Sequence, residues 1–72
     1  PREIVTLIYE RLTRGDSLLA AYDGRGCLEI HYSDHIKFVD VPIRILCDLR
    51  REGLIRRAFR IGRHRFYELN DN

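Results

Sequence analysis

Apolar positions recur every three to four residues at the start of the chain. Ile4, Val5, Leu7, Ile8 and Leu12 share one broad face, while Arg2, Glu3, Glu10 and Arg11 fall largely outside it. That spacing predicts an amphipathic helix over residues 2–13, with Gly15 at its C-terminal cap. Two readings of the next segment stand side by side. Asp16 or Ser17 caps a second short helix through Leu18, Leu19 and Tyr22, or Leu18 to Tyr22 is extended. Asp23-Gly24-Arg25-Gly26 is a turn in either case.

The period then changes to two. Leu28, Ile30 and Tyr32 alternate with Glu29 and His31, and Ile36 and Phe38 alternate with His35 and Lys37. Strands are favoured. A two-residue Ser33-Asp34 turn pairs Tyr32 with His35 and sends the two apolar sets to opposite faces. A three-residue loop pairs Tyr32 with Ile36 and Ile30 with Phe38, which keeps one apolar face and is the expected register. The alternative ends the strand near His31 and lets Ser33 cap a one-turn helix through Phe38.

Helical spacing returns after Asp40, a good N-cap, with Pro42 in the first turn. Ile45, Leu46 and Leu49 form the buried stripe. Arg44, Asp48 and Arg51 line the opposite face, and Gly53 closes the helix. Leu54–Ile61 and His64–Leu69 then read as a hairpin around Gly62-Arg63, a type II′ turn with glycine first. This register sets Phe59 opposite Phe66, Ala58 opposite Tyr67, Arg57 opposite Glu68 and Arg60 opposite Arg65. The last pair opposes like charges, which is unfavourable unless an anion lies between them.

Composition sharpens this picture in one place. The net charge is only +2, yet residues 50–65 hold Arg50, Arg51, Arg56, Arg57, Arg60, Arg63 and Arg65 against a single acid, Glu52. The segment therefore carries +6 and the remainder −4. Such asymmetry is the electrostatic footprint of a phosphate-binding surface. Lys37 is the only lysine among thirteen basic residues. Arginine's planar fork suits phosphates and base edges better than an ammonium does, although a genome rich in G and C favours arginine codons as well.

The run Ile43 to Ile55, followed by the basic hairpin ending Arg65-Phe66-Tyr67-Glu68-Leu69, resembles the recognition helix and wing of winged helix-turn-helix proteins. Residues 2–13 are similar to that family's first helix. The resemblance covers about the last thirty residues well. It departs at residues 27–39, where the family places one strand and then a full helix. It implies a small α+β domain of winged-helix type: an N-terminal helix, a central strand or hairpin, a recognition-type helix and a C-terminal β-hairpin wing. It also implies binding to double-stranded DNA as a transcriptional regulator, commonly as a dimer, because one small module makes few contacts. The expected nucleic-acid-binding residues are Arg44, Arg51, Arg56, Arg57, Arg60, Arg63, His64 and Arg65. Rival readings are a winged-helix module docking an acidic protein, and an RNA-binding protein.

Other chemistries find little support. The chain shows no Ser-His-Asp spacing, no glycine-rich phosphate loop and no close carboxylate pair, so no enzyme and no catalytic residue are expected. Cys27, His31, His35 and Cys47 are the right atom types for zinc. On a strand, however, the first three spread over more than about 20 Å, so no metal or other cofactor is expected. The two cysteines are too few for a disulfide framework and read as half-buried thiols. His31 and His35 read as exposed strand positions. An exposed Arg44–Asp48 pair is worth only some tenths of a kcal/mol.

Seventy-two residues make one domain, residues 1–72, with a thin core. No run of about 18 apolar residues and no signal peptide is present, so a cytoplasmic location is expected, at the nucleoid if DNA is the ligand. Pro1 fits removal of an initiator Met and suits either a complete small protein or a trimmed domain.

Overall fold

A computed structural model describes residues 2–70. The chain runs α1 (Arg2–Thr13), β1 (Ser17–Ala20), β2 (Gly26–His31), β3 (Ile36–Val41), α2 (Ile43–Arg51), β4 (Ile55–Ile61) and β5 (His64–Leu69). The five strands form one antiparallel sheet in the order β3-β2-β1-β5-β4. The described residues form a small α+β domain with two helices. No helix among the described residues is long and apolar enough to cross a membrane.

Both helices pack on one face of the sheet. Ile8 of α1 and Leu46 and Leu49 of α2 join Leu18, Ala20, Leu28, Ile30, Val41, Ile55 and Tyr67 in a single buried cluster. The strand residues in this cluster alternate, as a one-sided core requires. Leu18 and Leu28 face each other across β1 and β2, and both are fully buried. Among the described residues, no helix covers the reverse, outer face.

Helix α1 has the predicted bounds, and its end is fixed by Asp16. The Asp16 N–H donates to the Arg11 carbonyl at 2.9 Å. Its carboxylate accepts from Arg11 Nε at 2.5 Å and from the His31 N–H at 3.0 Å. Asp16 therefore ties the helix end to β2 instead of capping a second helix. The segment after it is strand β1, the extended alternative. Its middle position explains why: Leu18 is completely buried between two neighbouring strands.

Residues 26–41 form a hairpin, with no one-turn helix. Its register differs from the one the apolar pattern favoured. Tyr32 N–H donates to His35 O at 2.9 Å around Ser33-Asp34, and His31 pairs with Ile36. Ile36 and Phe38 therefore lie on the outer face, 47% and 64% exposed. The core side of β3 is supplied by Val39 and Val41 instead. Gly26, opposite Val41, leaves room for the Val41 and Leu46 side chains beside it.

Strand β3 extends through Asp40, so Asp40 is not the N-cap of α2. That position belongs to Pro42, whose carbonyl accepts from the Ile45 N–H at 2.9 Å. At the other end, Gly53 has φ +78°, a conformation that L side chains rarely adopt. It donates to Arg50 O at 3.0 Å, while Leu54 N–H donates to Leu49 O at 2.9 Å. This pair of bonds turns the chain directly into β4.

The β4–β5 hairpin keeps the predicted tip. Gly62 is at φ +59°, Arg63 is not at positive φ, and Arg60 faces Arg65. Below Phe59–Phe66 the register shifts by one residue. Ala58 is the extra residue of a bulge, so Tyr67 faces Arg57, not Ala58, and Glu68 faces Arg56, not Arg57. A one-residue bulge flips every side chain beyond it. Here the flip carries Ile55 into the core, where it is 3% exposed.

The winged-helix order is not reproduced between the first strand and α2. Where that pattern has a helix, this chain has the β2–β3 hairpin, and only Pro42 separates β3 from α2.

Two variants test this architecture. A Cβ on Gly26 would meet the Val41 carbonyl oxygen at 2.5 Å, so Gly26→Ala is expected to cost about 1–3 kcal/mol, read as a lower midpoint in thermal unfolding. Burial pushes the Asp16 carboxyl pKa up, but the His31 N–H and Arg11 pull it down further, leaving it below its ordinary value. Its stabilisation is therefore complete above the ordinary carboxylate range and is lost as pH falls through the depressed folded value. Asp16→Asn is expected to cost about 2 kcal/mol at neutral pH. In urea melts across pH, the wild-type and variant stabilities should converge in acid.

Candidate nucleic-acid interface

The hairpin tip and the β1–β2 turn stand beside each other at one end of the sheet. Gly62-Arg63 turns β4 into β5, and the Arg60–Arg65 pair sits two residues below the tip. Tyr22, in the β1–β2 turn, is 68% exposed. Its ring meets His64 edge-on, with centroids 6.4 Å apart, and the Arg63 guanidinium lies 5.7 Å from the ring centroid. These contacts hold an aromatic surface against the basic tip.

Between them lies an open groove of about 710 Å³, lined by Tyr22, Arg57, Ala58, Phe59, Arg60, Gly62, Arg63 and Arg65. Four guanidinium groups thus share one concave surface. Among the described residues, no carboxylate comes within ion-pairing distance of any of the four. Among the described residues, the acids that pair with arginine are engaged elsewhere, with Arg11, Arg25, Arg51 and Arg56. Like charges gathered without counter-charges raise the local potential and cost stability unless an anion neutralises them. Arginine's bidentate fork matches a phosphate oxygen pair.

The other expected contacts are distributed differently. Arg56 Nε donates to Glu68 Oε2 at 2.7 Å on the outer face, next to the stacked pair Phe59–Phe66 at 4.8 Å. Arg51 Nη2 donates to Asp48 Oδ1 at 2.6 Å, so Asp48 pairs three residues onward and not with Arg44. Arg44 is exposed near the start of α2. Arg50 at the far end of α2 lies 5.6 Å from the Tyr67 ring centroid and flanks the hairpin. Tyr67 itself is 6% exposed and belongs to the core. The eight expected residues therefore split. Arg57, Arg60, Arg63 and Arg65 converge on the groove, with His64 against Tyr22. Arg44, Arg51 and Arg56 lie outside the groove lining.

Tyr22 carries no signal in the sequence that would mark it for this site. No spacing links it to the hairpin, since only the β1–β5 pairing carries the β1–β2 turn to the tip. Cys27 is half-buried, Cys47 is exposed, and both are free thiols. Burial, with Glu29 and Asp40 nearby, pushes the Cys27 thiol pKa up, which keeps it protonated and a poor nucleophile. Among the described residues, Cys27, His31, His35 and Cys47 are not gathered into a group that could hold a metal. Comparison of the chain with protein-family models, with curated proteins and with solved structures finds no match.

Proposed function

We propose that this chain binds nucleic acid, with double-stranded DNA as the ligand, and that the β4–β5 hairpin makes the contact. The observation that carries this reading is the convergence of Arg57, Arg60, Arg63 and Arg65 on one groove, with no carboxylate in ion-pairing reach among the described residues. A projecting hairpin of this charge can lie along a phosphate backbone or enter a minor groove. The helix-and-wing likeness of residues 43–69 supports the same ligand and a role in transcriptional regulation. The structure alters the division of labour within that likeness. The Asp48 carboxylate offsets one arginine on the exposed face of α2, and a strand replaces the helix that would precede it. Phosphate binding by the hairpin is therefore the main source of affinity, and base reading by α2 is secondary.

One observation favours a second ligand. Tyr22 offers an exposed ring beside the arginines, and an unpaired base can stack on such a surface. Single-stranded RNA is therefore the competitor to include.

The test is fluorescence anisotropy with a short labelled duplex over a range of salt concentrations. Binding should weaken linearly on a log–log plot, and removing one phosphate-binding arginine should reduce the slope by about 0.9. Arg60→Ala with Arg63→Ala and Arg65→Ala is expected to weaken binding to every duplex, flatten the slope by about two to three units, and leave the fold intact by circular dichroism. Unchanged affinity in the triple variant would move the binding surface away from the hairpin. Preferential displacement by single-stranded RNA would change the ligand.

A further inference from the structure

The two edges of the sheet are built very differently. The β4 edge is interrupted by the Ala58 bulge and carries Arg56, Arg57 and Arg60. Bulges and clustered charge are the usual means of preventing another strand from adding. The β3 edge has no bulge, and its two charges, Lys37 and Asp40, are of opposite sign and lie on opposite faces. Its six residues pair with β2 in unbroken register, and among the described residues its other side pairs with no strand.

The backbone groups on that open side can be identified. The Tyr32–His35 hydrogen bond sets the alternation of the antiparallel ladder. Lys37 and Val39 consequently bond toward β2, whereas the N–H and C=O groups of Ile36, Phe38 and Asp40 point away. Among the described residues, none of these outward groups has a backbone partner in the turns and loops. The same residues bring Ile36 and Phe38, 47% and 64% exposed, to the outer face beside the edge. Lys37 lies on the opposite face, across from Ile30.

We infer that β3 is the interface of a symmetric homodimer, in which β3 of a second copy adds antiparallel to this edge. A two-fold axis normal to the sheet keeps both outer faces on the same side. Only residues with outward backbone groups can then form the bonded pairs. Centring the axis on Phe38 pairs Phe38 with Phe38 of the second copy, and Ile36 with Asp40 of the second copy, in both directions. Every outward N–H and C=O from Ile36 to Asp40 is matched, and two exposed aromatic rings meet. Pro42, which has no N–H, follows where the ladder ends. A foreign strand could satisfy the backbone, but the self-paired register also matches apolar to apolar at the centre.

The contrast between edges makes this assembly close at two copies. Pairing of β3 with β4 of another copy would be heterologous and would grow into filaments. The bulge and arginines of β4 block it. The joined sheet is twice as wide and leaves a basic hairpin free at each end. The inference is independent of the nucleic-acid reading, and its test contains no nucleic acid.

The test is mass by analytical ultracentrifugation, from low micromolar to near-millimolar protein. Wild type should rise from 8.6 kDa toward twice that value. Phe38→Lys, which places two ammonium groups on the axis, should stay at the monomer mass with an unchanged far-ultraviolet circular dichroism spectrum. Phe59→Lys, on the outer face near the far edge, should dimerise as wild type does. In wild type, the amide protons of Ile36, Phe38 and Asp40 should exchange more slowly at high concentration than at low, which decides the matter even if Phe38→Lys fails to fold. A wild type that stays monomeric overturns the inference. So do a folded Phe38→Lys that still dimerises, loss of the dimer in a folded Phe59→Lys, or β3 amides whose exchange ignores concentration.

Discussion

Two short helices must cover a five-stranded sheet, and they can cover only one face of it. That constraint governs the rest of the molecule. Leu18 and Leu28 sit at the centre of the covered face, with no exposed surface. Ile8, Leu46 and Leu49 close over them from the helices. A chain of this length has little further apolar surface to bury, so each strand must present its best alternate set to the helices.

The irregular features follow from that demand. The bulge at Ala58 reverses the facing of the residues below it, so that Ile55 and Tyr67 are both buried. The tight Ser33-Asp34 turn gives Val39 and Val41 to the core and leaves Ile36 and Phe38 outside. Gly26 makes room where β2, β3 and α2 crowd together. Asp16 fixes the geometry from below, since its carboxylate joins the α1 end to β2 through Arg11 and the His31 N–H.

The arginines occupy what the core does not use. Arg60 and Arg65 fall on the helix side of the hairpin, beyond the region the buried cluster reaches. With Arg57 and Arg63 they face a groove closed on one side by Tyr22. Charge that a core could not tolerate is thus concentrated on a projection of the sheet, where its only cost is mutual repulsion.

Local rules determined much of this protein. The spacing of Ile4, Val5, Ile8 and Leu12 defined α1, Leu46 and Leu49 defined the buried side of α2, and Gly53 and Gly62 marked the turns flanking β4. The arginine run of residues 50–65 identified the basic hairpin. These are signals carried within one turn or one hairpin. The tertiary structure alone decided between competing apolar sets. Ile36/Phe38 and Val39/Val41 are equally good strand patterns in isolation, and the register that seats Val41 beside Gly26 and Leu46 puts the valines inside. It also decided which arginines converge, because the Ala58 bulge moved Glu68 from Arg57 to Arg56. It placed Tyr22 beside the tip through the β1–β5 pairing. In each case the deciding contact joins residues distant in sequence, and no local period encodes it.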